Sequence, residues 1–447
     1  MRGKGVGLRV KKIIRKAGLF CGAMLLTLLL AGCADTSVEN LMTLPQLPPQ
    51  YTELSKQVDE LLKNGYEYAS PLTGHNIQSV QMVDLDGDGD DEALAFFRVP
   101  SDEKQLKIVV FERDNESYTQ LCIIESAGTA IDSVDYQDMT GDGKMELVVG
   151  WKISTDVQAV AVYLLDEKPI MLMRSGYAKF SIEELDGDGI PSLLLLRTDK
   201  EGNSIAEFYS WRDESLSVSY HCTLSSDMAE LSRGSMVSGQ LDSNGCAAVF
   251  VTGVNTEGMA VTDILTYQKE LGLVNVALDA ATGRSKAVYE FCQLQPQDID
   301  GDGLIELPYA AADGGGENTA QGVISWWNYD IKGNSYWATD TYHSPNGNWY
   351  LDLPHDWHER MTVSAIDSAG NENCVALYVD GDKVAAIYIF SGESADARIS
   401  QANYQILAQQ PTVLYAGEIF RPTAGIYGMD QELLQSSFHL VANFWNS

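Results

Sequence analysis

Positive charge is scarce in this 447-residue chain: 30 Lys and Arg stand against 63 Asp and Glu, giving a net charge of -33 and a pI near 4.4. Seven of those basic residues (Arg2, Lys4, Arg9, Lys11, Lys12, Arg15 and Lys16) crowd the start, and no Lys/Arg cluster follows them. An anionic phosphate backbone would be repelled, which argues against a nucleic-acid partner. Close-spaced Cys or Cys/His pairs are also missing. Of seven cysteines, Cys122, Cys222, Cys246, Cys292 and Cys374 lie scattered beyond residue 33, where they read as small apolar residues with room for one disulfide and need of none. The stretch His355-Asp356-Trp357-His358-Glu359 superficially evokes a zinc helix, but its histidines are three apart where the metalloprotease pattern needs four. A nucleophile elbow and a phosphate-cradling loop are both absent. Carboxylates are too numerous for any pair to be singled out as acid and base, so the expectation is a protein that is not an enzyme.

What the chain does have is a repeated acidic loop. Its fullest form is Asp84-Leu85-Asp86-Gly87-Asp88-Gly89-Asp90-Asp91-Glu92. Acidic oxygens occupy positions one, three, five and nine, and glycines at four and six allow the chain to curl. Calcium takes six to eight oxygens from carboxylates, carbonyls and water, and the absence of imidazole and thiolate disfavours zinc and copper. Position seven, here Asp90, is expected to offer its backbone carbonyl. A second copy places Asp138, Thr140, Asp142, Lys144 and Glu146 at the corresponding positions, a third Glu184, Asp186 and Asp188, and a fifth Asp298, Asp300, Asp302, Leu304 and Glu306. The fourth, from Gln240 to Ala248, has lost its first and ninth ligands, and a poor sixth begins at Asp367. An EF-hand is the rival, but the twelfth position of the first loop is Ala95 and the flanks read as strands. Polar hairpin turns without metal are the other alternative.

These loops resemble the FG-GAP or VCBS-type repeats of integrin-alpha-like β-propellers, which carry D-x-D-G-D-G-x-x-D/E between the first two strands of a blade. The resemblance spans roughly residues 75 to 410 and implies an all-β fold: a β-propeller of six four-stranded antiparallel blades, with seven as the alternative, and Ca2+ as cofactor. It leaves function open, because such propellers serve adhesion, carbohydrate or protein binding and occasionally catalysis. The loops begin at 84, 138, 184, 240 and 298, intervals of 54, 46, 56 and 58 residues that suit four short strands and turns. A parallel β-helix is the rival architecture, but its rungs are shorter. Short apolar runs after the loops, such as Leu147-Val148-Val149 and Leu193 to Leu196, read as buried inner strands.

Ahead of the repeats, the basic start and the apolar run Ala17–Ala31 read as an export signal, the run being short for a bilayer span. The run ends in Leu30-Ala31-Gly32-Cys33, which resembles the lipobox of bacterial lipoproteins; that implies a signal peptide over 1–32, a lipidated Cys33 and an extracytoplasmic chain anchored to the cell membrane. An uncleaved anchor is the alternative. Residues 33–50 read as a polar, proline-bearing tether. Residues 51–74 hold an amphipathic helix in which Leu54, Val58, Leu61 and Leu62 recur at helical spacing. Residues 411–447 form a closing segment whose stretch Gln431–Val441 reads as a helix or as a strand packed against the first blade.

Five of the eight tryptophans, Trp326, Trp327, Trp337, Trp349 and Trp357, fall in one region. They are either a ligand surface, since aromatic faces beside carboxylates suit sugars, or the filling of an irregular blade. The expectation is therefore a monomeric, lipid-anchored calcium-binding propeller that binds a protein or a glycan. The alternatives are a surface enzyme acting on polysaccharide and an accessory subunit of an envelope complex.

Overall fold

The computed structural model describes residues 51–114, 117–310, 322–345, 347–368, 372–391 and 404–441. The signal, Cys33 and the tether lie outside the described residues, as do the Gly-rich stretch 311–318 and the side chains of the sixth loop. The chain divides into two compact units. In the smaller, the expected amphipathic helix forms over Thr52–Lys63 and buries Leu54 and Val58, as the i, i+4 spacing requires. To the same unit belong the strand ends at 113–114 and 117–119, where the Gln57 side chain donates to the Tyr118 carbonyl and the rings of Tyr51 and Tyr118 stand 6.5 Å apart.

The larger unit is all-β, one antiparallel sheet following another. The first sheet is built on Val80–Val83, Glu92–Arg98, Leu106–Asp114 and Ser117–Ser126, with Glu67–Tyr68 on the edge. The second and third are regular four-stranded meanders: Ala130–Gln137, Glu146–Lys152, Gln158–Leu164 and Ile170–Tyr177, then Lys179–Glu183, Ser192–Thr198, Ser204–Arg212 and Ser215–Thr223. The fourth contains Ser235–Gln240, Ala247–Val254, Met259–Gln268 and Gly272–Asn275, with Ala287–Glu290 added. The fifth runs Leu307–Ala310, Val323–Tyr329, Ser335–His343, Trp349–Leu353 and Phe438–Leu440; the sixth contains Met361–Ser368, Glu372–Val379, Asp382–Ser391, Val413–Ile419 and Gln405–Gln409.

The strand after each of the first three loops is buried on both faces, as its unbroken apolar run predicts. Ala93 to Phe97, Leu147 to Val149 and Leu193 to Leu196 are fully buried. Neighbouring sheets share this apolar surface in series. Phe96 and Ile108 of the first cluster with Val149 and Trp151 of the second, Val148 of the second with Leu195 of the third, and Phe208 of the third with Val251 of the fourth. Phe250 then meets Leu307 of the fifth, and Trp349 meets Leu377 and Ile387 of the sixth.

The expected closure into a six- or seven-bladed β-propeller is overturned, and with it the FG-GAP/VCBS resemblance. The sheets are separate and stacked like successive β-sandwich layers, none curled or closed into a ring. The chain end shows why. Gln431–Ser437 is a helix and Phe438–Leu440 a strand, but this strand pairs with Trp349–Leu353, placing Trp349 opposite Leu440 and Leu351 opposite Phe438, instead of joining the first sheet. Among the described residues no strand of the first sheet pairs with one of the sixth. A local repeat period specifies one sheet per repeat and carries no information about a pairing between the ends of the chain.

Candidate metal centre

The acidic loops join the first and second strands of the first four sheets; at the fifth, Gln297 and Glu306 form an isolated bridge on either side of the loop. A shared hydrogen-bond frame shapes them. In the first loop Asp84 accepts from the backbone N–H of Gly87 at 2.8 Å and of Gly89 at 3.1 Å, and Asp88 accepts from Asp90 at 2.8 Å. Glu92, buried at the head of the next strand, accepts from Leu85 N–H at 2.9 Å and so ties the end of the loop to its start. The fifth loop repeats this frame: Asp298 accepts from Gly301 and Gly303, Asp302 from Leu304, and Glu306 from Ile299. In the second, Asp138 takes Gly141, Asp142 and Gly143, and Glu146 takes Met139 and Thr140. Gly87 and Gly89 sit at φ 76° and 92°, a region that side chains bearing Cβ rarely adopt, which explains the glycines at positions four and six.

Three loops bring carboxylate oxygens within 4.8 Å of one another: Asp84, Asp86 and Glu92; Glu184, Asp186 and Asp188; and Asp298, Asp300 and Asp302. Such surface clusters suit a divalent cation held by oxygen. A second observation comes from orphaned atoms. Glu306 is fully buried and its Oε1 has no hydrogen-bond partner, and Oδ1 of Asp186 is likewise buried and unpartnered. Burying such an oxygen without a partner is costly, and a cation in the loop would satisfy it. Asp88, Asp90 and Leu304 serve the frame and are not part of the converging sets. The second loop does not converge in the same way. Thr140 replaces its third carboxylate, and the Thr140 hydroxyl is buried without a partner. Lys144 adds a like-signed competitor for any cation.

The electrostatics record the crowding. Burial, followed by the neighbouring charges of Asp142 and Asp138, pushes Glu146 up to about 7. Glu306 is pushed up to about 8, again chiefly by burial and then by Asp300, Asp302 and Asp298. Asp300 and Asp186 are raised for the same first reason. A divalent ion would reverse the sign of the local field and favour the ionised carboxylates.

Two features escape a reading of the motif alone. Arg212, on the neighbouring strand, reaches Asp186 at 3.1 Å, so the third loop carries a cation of its own. Loops of adjacent sheets also touch: Met145 N–H donates to Leu85 O at 2.7 Å, and Ile305 N–H to Gln240 O at 3.0 Å. Regular contact between repeats is visible only once the sheets are stacked.

The tryptophans separate cleanly. Trp326, Trp349 and Trp357 are fully buried, with the Trp326 indole donating to Thr341 and that of Trp357 to the Tyr427 carbonyl. They are core. Trp327 and Trp337 are register partners on adjacent strands and reach the surface, Trp337 being 39% exposed. The pair His355 and His358 does not form a metal group among the described residues. His355 packs on Trp337 and His358 bonds Asp340. No described helix is long and apolar enough to cross a membrane, and none of the five described cysteines is in a disulfide. Without a propeller, the expected binding or scaffold propeller loses its frame, and neither a family model nor a curated protein matches the chain.

Proposed function

We propose that this is a calcium-stabilised all-β surface protein, held outside the cell by lipid on Cys33, whose ions fasten the joint between the first and second strands of a sheet. The observation that carries this reading is the fifth loop, where Asp298, Asp300 and Asp302 converge and the loop's last carboxylate, the buried Glu306, has one oxygen without a partner. Calcium fits better than magnesium. The frame presents several oxygens on a glycine-hinged loop, which matches the flexible, higher coordination number of Ca2+. The first loop, with Asp84, Asp86 and Glu92, is the second site. The third, already holding Arg212, is the weakest. The metal's part is mechanical, with no catalytic step assigned to any residue.

Calorimetric titration of the full-length protein with Ca2+ and with Mg2+ tests this. Saturable Ca2+ binding that loses a site in Asp300→Ala supports it. Heats indistinguishable from dilution, or equal affinity for Mg2+, would sink it. The anchor is tested separately by metabolic labelling with a fatty acid, which Cys33→Ala should abolish.

A further inference from the structure

The two surface tryptophans share a cavity of about 360 Å3 on the fifth sheet, lined by none of the carboxylates that converge in the acidic loops. Its floor is rigid. Asp340, only 1% exposed, accepts from the Ser325 hydroxyl at 2.5 Å and from His358 Nδ1 at 3.2 Å. One buried carboxylate therefore holds both a serine and a histidine in place. The His355 ring packs on Trp337 with centroids 4.1 Å apart, extending the platform, and Trp327 lies across the strand pair. Trp326 and Trp327 are successive residues of one strand and point to opposite faces, which puts the first ring in the core and leaves the second to the cavity.

Carboxylates outnumber cations in the cavity. Asp340, Asp356 and Glu359 face Arg360 and a His358 whose hydrogen bond to Asp340 favours its protonated form. Arg360 is itself engaged by Asp356 at 2.8 Å and by Asp380 at 2.6 Å. An anion would meet this excess of carboxylate, and Arg360 and His358 are both already engaged, so aromatic faces are combined here with hydrogen-bonding groups of both kinds. That combination suits a ligand with an apolar ring face and a rim of hydroxyls.

We propose that this cavity binds a neutral pyranose saccharide, with Trp337 as the stacking platform and the Asp340, Ser325 and His358 cluster as the rigid group that positions it. The rim residues Glu359 and Asp356 supply acceptors for hydroxyls. The site is independent of the calcium loops, so it stands or falls separately from them.

The test uses the full-length protein with cellotriose and triacetylchitotriose as probes, followed by tryptophan fluorescence and calorimetry. Saturable binding of either at millimolar concentration is expected, weakened about tenfold or more in Trp337→Ala, because stacking contributes roughly the free energy of one decade. Glu359→Ala, an exposed change that cannot disturb the core, should weaken binding as well. Tyr336→Ala, at the exposed neighbour outside the cavity, should leave it unchanged. Absence of binding by both saccharides overturns the proposal, as does equal affinity in wild type, Trp337→Ala and Glu359→Ala. Binding of choline in place of the sugars would show a cation cage and overturn it too.

Discussion

Replacing Asp300 by asparagine should destabilise the protein with calcium present and stabilise it slightly with calcium removed. Asp300 lies within 4.8 Å of Asp298 and Asp302, and its carboxyl is raised by burial and by those two charges. At that separation each like-charged neighbour costs about 1 kcal/mol in a water-like dielectric, so screening leaves roughly 1 kcal/mol of repulsion at this exposed position. Asparagine removes that repulsion and keeps an oxygen to accept from Asp302 N–H, the 3.2 Å bond that Asp300 makes. With calcium at a hundred times its dissociation constant, a bound ion contributes about 2.7 kcal/mol, which the variant loses. The net expectation is a loss of roughly 2 kcal/mol with calcium and a gain of about 1 without it. Differential scanning calorimetry in excess Ca2+ and in chelator reads the sign directly. Stacked sheets of this size need not unfold in two states, so the order of the midpoints is the robust readout. If Asp300→Asn and wild type keep the same order in both conditions, the fifth loop is a turn and the reasoning fails.

Three further outcomes follow from the packing. Gly234→Ala should cost about 3 kcal/mol, an overpacking penalty, because a Cβ there would lie 1.9 Å from the Thr252 carbonyl oxygen, with no flexible side chain to give way; urea midpoints check it. Trp326→Ala should cost about 4 kcal/mol whereas Trp337→Ala should cost less, since the first ring is fully buried and the second is 39% exposed; equal losses would place both rings in the core. The hydrogen bond to Asp340 raises the pKa of His358, so that contribution is complete below the unfolded value of about 6.5 and is lost as pH rises through the higher folded value. His343, buried and held down at about 4, works in the opposite direction. The measurement is therefore the difference in stability between wild type and His358→Gln across pH 5 to 8, which should shrink as pH rises; a flat difference would remove the pair's electrostatic role.

Much of the local structure was legible because it depends on neighbours in the chain. Apolar runs after the loops became the buried strands Glu92–Arg98, Glu146–Lys152 and Ser192–Thr198. The i, i+4 pair Leu54 and Val58 marked a helix, and glycines at positions four and six marked the left-handed turns that let Asp298 collect two backbone N–H groups. These features obey rules of a few residues' range, so sequence alone determined the all-β character, the one-sheet-per-repeat spacing and the acidic loops.

Tertiary structure decided the rest, for reasons that no local pattern contains. Whether the sheets close into a ring depended on where Phe438–Leu440 would pair, and it chose Trp349–Leu353, some ninety positions back in the chain, where Phe438 packs on Trp349 and Tyr415. Whether a tryptophan is core or surface turned on which face of its strand was covered by a neighbouring element, as the adjacent Trp326 and Trp327 show. The charge on the third loop was altered by Arg212, twenty-six residues from Asp186 and adjacent only after folding. Sequence periodicity specifies the layers; the free energy of burying their faces against one another, summed over distant partners, selects how the layers are joined.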